Sequence, residues 1–172
     1  APSGDISEII NQFIDYQVHE NDQYNLHRVG RTYYGDKMDK TTTLSMDFVF
    51  PNVVNTLPCM VKTALAGRNF QSANFDVMID NVKKATYPIH ITTSSTEYPF
   101  GYNVGGWVNA NPSSETVRVT LKHDALGSNS TSEGYVDYVL VNAWRSLAFT
   151  GGQMLFRNPD AYVINKIYDF RL

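Results

Sequence analysis

One cysteine, Cys59, is all the thiol chemistry this 172-residue sequence carries. That excludes a disulfide framework and any metal centre built from thiolates. Charge is also scarce: Asp, Glu, Lys and Arg together make 18% of the chain, with a formal net charge of −3. No run of Lys and Arg is long enough to follow a phosphate backbone, which argues against nucleic acid as a partner. No apolar run is long enough to span a bilayer as a helix. The chain opens on "APSGD" without a recognisable signal peptide, which says nothing against export.

Catalytic signatures are missing as well. The four histidines, His19, His27, His90 and His123, show no H-x-H, H-x-x-x-H or H-E-x-x-H spacing, so they read as hydrogen-bonding residues rather than metal ligands. There is no G-x-S-x-G elbow, P-loop or dinucleotide fingerprint. Cys59 sits among Leu57, Pro58, Met60 and Val61, an environment for a small buried hydrophobe rather than a thiolate nucleophile. Asp36 with Asp39, and Glu20 with Asp22, could offer oxygens to calcium. They match no calcium-loop pattern and read as solvated acidic loops. No cofactor is implied.

Aromatic residues, by contrast, reach 13%, with eleven tyrosines. With abundant Thr and Val this favours strands over helices. Leu44, Met46, Phe48 and Phe50 alternate with Thr43, Ser45 and Asp47, and Val49 interrupts the polar side, suggesting a strand end covered on both faces. Phe75, Val77 and Ile79 alternate, as do Ile89 and Ile91. Val117, Val119 and Leu121 point one way, with Arg118, Thr120 and Lys122 opposite. Seven or eight short strands separated by turn signals predict a mostly β protein, an antiparallel β-sandwich of jelly-roll-like type. Ile6, Ile9, Ile10, Phe13 and Ile14 follow helical spacing, with Asp5 and Glu8 as a capping box, so one amphipathic helix is expected from Asp5 to about Tyr16. The chain then divides into a helix and lead-in over 1–20 and one sandwich domain over 21–172.

One place invites a binding role. Tyr98, Phe100, Tyr102 and Trp107 cluster between glycines and prolines. They could stack on sugar rings, grip a protein partner, or plug the end of the sandwich. Asn129–Thr131 matches the short N-glycosylation pattern. In the run "YVDYVLVNAWR", period two puts Asp137 and Arg145 on one face, about 26 Å apart at strand rise, too far to pair with each other.

Two segments carry a more specific likeness. The first holds "GRTYYGD": Gly30, Arg31, Tyr33, Tyr34, Gly35 and Asp36. The second holds Val136, Asp137, Tyr138, Asn142, Arg145 and Leu147, followed by Gly152, Gln153, Phe156 and Arg157. Their order and spacing resemble the N-terminal, non-catalytic region of PorU-type sortases. These are the signal peptidases of the type IX secretion system, related to gingipain-like cysteine proteinases. Tyr33 and Asp36 depart from the family's usual Trp and Glu. The resemblance implies a sandwich followed by a caspase-like domain that holds the catalytic Cys and His, so no catalytic residue falls on this chain. It also implies export to the outer-membrane surface or periplasm, with the downstream catalytic domain and other secretion components as partners. The ending "YDFRL", without a polar tail, fits an expectation that more protein follows. The competing reading is a stand-alone module for glycan or another ligand.

Overall fold

The computed structural model describes residues 6, 8–26, 30–92, 101–125, 132–149, 153–163 and 165–172. Among the described residues eleven strands occur: β1 (Glu8–Ile10), β2 (Gln12–Glu20), β3 (Gly35–Asp39), β4 (Thr43–Val49), β5 (Cys59–Arg68), β6 (Ala73–Ile79), β7 (Val82–Ile89), β8 (Tyr102–Ala110), β9 (Thr116–Ala125), β10 (Glu133–Ser146) and β11 (Tyr168–Phe170).

Strands β2, β10, β5 and β8 lie side by side in one sheet, with β3 also paired to β10; β4, β9, β6 and β7 form the other. All pairings in these two sheets are antiparallel. Phe48, Phe75, Val77, Val117, Val119 and Leu121 from one sheet meet Val61, Leu65, Val139 and Val141 from the other in a single buried cluster. This is a sandwich arrangement, and the alternation read in β4, β6 and β9 supplies one wall of it.

The expected N-terminal helix is not formed over the described residues; 8–20 are strands β1 and β2. The two strands are separated at Asn11, so the buried Ile10 and Phe13 fall three residues apart and imitate a helical period. What decides against the helix is the nine-residue pairing of β2 with β10, a tertiary gain that overrides local pattern. Asp5 lies outside the described residues. Two smaller expectations also fail: Val49 is exposed rather than doubly covered, and Ile91 is exposed while Ile89 is buried. β7 ends at Ile89, so the alternation no longer governs Ile91.

β1 runs parallel to β11, so the first and last strands of the described chain are neighbours. β10 is the organising strand. One edge carries β5 over most of its length; the other is shared by β3, along Glu133 to Val136, and β2, along Tyr138 to Ser146.

Candidate functional site

Asp137 stands where β3 gives way to β2 along that shared edge. Opposite β5, Val136 pairs with Leu65 and Tyr138 with Ala64, so Asp137 is the extra residue of a bulge. The bulge inverts the alternation. Gly134 and Val136 face the core before it, and Val139, Val141, Ala143 and Arg145 do so after it. The sequence pattern, which put Asp137 and Arg145 on one face, is corrected accordingly. A second bulge lies across the pair on β3. Tyr135 opposes Lys37 and Val136 opposes Gly35, leaving Asp36 unpaired at φ +24°.

These bulges bring the two sequence elements together. His19 Nε2 meets Asp36 Oδ2 at 2.5 Å. Gly35 packs so closely on Asn21 that a Cβ there would run into its carbonyl oxygen. The Tyr34 ring lies 6.3 Å from that of Tyr135, and its hydroxyl donates to Asn103 Oδ1. Burial raises the Tyr34 pKa, and the nearby Asp137 carboxylate adds to the rise. The Asp137 carboxyl is itself pushed above its usual range, first by burial and then by Glu20 and Asp22. Gly30, in the left-handed region at φ +83°, and the exposed Arg31 and Tyr33 border this knot.

Arg145 sits at the other end of β10. Its Nη1 donates to Asp15 Oδ2 at 2.6 Å, its Nε donates to the Pro51 carbonyl at 2.7 Å, and its guanidinium lies over the Phe13 ring. These partners were invisible in the sequence because they come from segments distant along the chain. Asp36 and Arg145 thus tie strands and turns together, Asp137 marks the bulge without a side-chain partner among the described residues, and none of the three belongs to a reactive centre.

The four-aromatic cluster separates. Tyr98 and Phe100 lie outside the described residues. Tyr102 and Trp107 fall on opposite faces of β8, since they are five residues apart in an uninterrupted register. Tyr102 is half-buried with its ring 5.3 Å from His90, while Trp107 is 53% exposed on the outer face of the five-stranded sheet.

That outer face gathers residues the sequence did not link. Val18, Leu140, Lys62 and Trp107 form one row across four strands, and Glu20, Tyr138, Ala64 and Gly105 form the next. On the other side of the first row lie Tyr16, Asn142, Met60 and Asn109. The Lys62 ammonium sits 5.6 Å from the Trp107 ring and 5.4 Å from the Tyr138 ring, within cation–π range of both. Val18, Glu20, Lys62, Trp107, Tyr138 and Leu140 line an open cleft of about 350 Å³. Trp107, Tyr138 and Glu20 each carried a sequence signal, and for different reasons. Period-two reading of β2, β5 and β10 could have found the rest once the strand order was known.

Two further groups are structural. Cys59 is buried, donates to the Ala110 carbonyl, and has its pKa raised by burial. His123 is fully buried beside Phe75, with Nδ1 at 3.1 Å from the Asp39 carbonyl and Nε2 at 3.3 Å from Ser132 Oγ. Burial pushes its pKa down. His27 and the Asn129–Thr131 triplet lie outside the described residues.

The arrangement defines a mostly β module built on two antiparallel sheets, with β1 and β11 as a small parallel pair beside them. No protein-family model matches the sequence, and no curated protein matches it either. Over 94% of the chain the fold is similar to dimeric latent PorU from Porphyromonas gingivalis, with a TM-score of 0.75 and 13% identity; the chain spans 15% of that PorU chain. A CBM36-1 domain of a multidomain xylanase, from the hindgut metagenome of Trinervitermes trinervoides, matches over 84% of this chain and 100% of its own. Its TM-score is 0.43 at 16% identity. A CBM36 carbohydrate-binding module in complex with calcium and xylotriose matches over 73% of this chain and 97% of its own, with a TM-score of 0.41 at 16% identity. The PorU likeness is one of fold; the other two are too loose to carry an argument.

Proposed function

We propose that this chain is a non-catalytic, jelly-roll-like sandwich module of a longer exported cysteine peptidase similar to PorU-type sortases. Its role is to hold and orient the catalytic domain and to contact other secretion components at the outer-membrane surface or in the periplasm. The observation that carries this reading is the fold likeness to PorU over 94% of this chain and 15% of that one. The meeting of the two sequence elements at paired bulges on β3 and β10 supports it. Both elements then serve architecture, as a scaffold requires, and the chemistry belongs to another part of the polypeptide.

The test is to sequence the gene beyond the Leu172 codon and express its full product. The expected frame runs on into a domain with a Cys–His pair that removes C-terminal sorting signals from cargo. A stop codon directly after Leu172 overturns the proposal.

A further inference from the structure

The cleft between Trp107 and Tyr138 suits one class of ligand by elimination. A cationic ligand would seek the two ring faces, but the Lys62 ammonium already stands between them. An anionic ligand would find the Lys62 ammonium offset by the Glu20 carboxylate in the same cleft, with Asp137 close enough to Glu20 to have its pKa raised by it. What remains is a neutral molecule that presents apolar C–H groups on one side and hydroxyls on the other. Trp107 and Tyr138 offer flat surfaces to such C–H groups. Lys62 offers three N–H donors and Glu20 two acceptor oxygens to the hydroxyls. Among the described residues Lys62 enters no ion pair, so those donors remain open to a ligand. The cleft's volume of about 350 Å³ is near the lower bound for small-molecule sites. Its openness along the sheet suits one or two rings of a longer chain.

We infer that the outer face of the five-stranded sheet binds a neutral saccharide, with Trp107 and Tyr138 as stacking platforms and Lys62 and Glu20 as hydrogen-bonding partners. This goes beyond the scaffold role and does not rest on it; the residues differ from those at the bulges, except for Tyr138.

Tryptophan fluorescence titration of the 172-residue protein tests it, in a W144F background so that Trp107 alone reports. The probes are xylohexaose, cellohexaose, chitohexaose and mannohexaose, with an oligogalacturonate as anionic arm and tetramethylammonium as cationic arm. Saturable binding of at least one neutral oligosaccharide is expected. Calorimetry on the W107A and Y138A variants should show it weakened by about tenfold or more in each, because each loses one stacking surface. K62M keeps the aliphatic stem and removes the donors, so it should weaken neutral-sugar binding too. The melting temperature of W107A should match wild type, which separates lost binding from lost folding. Failure of all four neutral sugars, binding of the anionic or cationic probe alone, or full affinity in a W107A/Y138A double variant would each overturn the inference.

Discussion

Asp137 and Arg145 share strand β10 yet face opposite sides of the sheet. The bulge at Asp137 sends Val139, Val141, Ala143 and Arg145 inward, while Tyr138 and Leu140 line the outer cleft. Each charge therefore has its own neighbours. Arg145 has Asp15 and the Pro51 carbonyl, and Asp137 has other carboxylates.

Arg145 is 9% exposed, so its removal leaves the Pro51 carbonyl and Asp15 without their donor. Arg145→Ala should destabilise the fold by about 3 kcal/mol in urea unfolding, because a largely desolvated pair is broken from one side. Asp15→Asn should cost about 1 kcal/mol, since Asp15 reaches solvent. A double-mutant cycle should return a coupling of about 1 kcal/mol or more. Additive losses would show that Arg145 acts through Phe13 and Pro51 alone.

Asp137 accepts no side-chain hydrogen bond among the described residues, and its surroundings raise its pKa. A carboxyl with a raised folded-state pKa binds its proton more tightly in the folded state. Its charge therefore opposes folding at neutral pH, and acidification through the folded pKa relieves this. Asp137→Asn should gain about 0.5–1 kcal/mol at pH 7. The gain should vanish as pH falls through the folded pKa towards the unperturbed 3.8. Equal stability of the two proteins at pH 7 would refute a cost from burying this charge beside Glu20 and Asp22.

His123 works in the opposite sense. Burial holds its folded-state pKa below the ordinary 6.5, so the unfolded chain takes up the proton first. Stability should be full above that value and fall as pH drops from it towards the folded pKa. The loss is read as a fall in Tm across that window in a pH series of thermal melts. His123→Phe, next to Phe75, should flatten this part of the profile whatever it does to absolute stability. An unchanged slope would assign the acid sensitivity to other groups.

Gly35 tests the knot directly. A methyl group there meets backbone and side-chain atoms of Asn21, neither of which can swing aside without moving the end of β2. Gly35→Ala should cost about 2–4 kcal/mol and loosen β3 first, read as faster amide exchange at Met38 and Gly134. Wild-type exchange at those amides would mean that the approach relaxes freely.

Some of this was open to reading in the chain itself. The alternation of Phe75, Val77 and Ile79, and of Val117, Val119 and Leu121, determined strands with a buried face, because side chains alternate in any extended chain. Composition favoured a mostly β protein, and the two motif segments suggested the kind of scaffold. Tertiary structure decided the rest. Over the described residues it replaced the helix expected from Asp5 to about Tyr16 with strands β1 and β2, since the pairing of β2 with β10 outweighs a local period broken at Asn11. It parted Tyr102 from Trp107, which their nearness in sequence had joined. It inverted one strand at Asp137, where a single inserted residue exchanges the faces of everything beyond it. And it set Trp107, Lys62, Tyr138 and Glu20 in one cleft, because strand order, unlike strand pattern, is a property of the whole chain folded together.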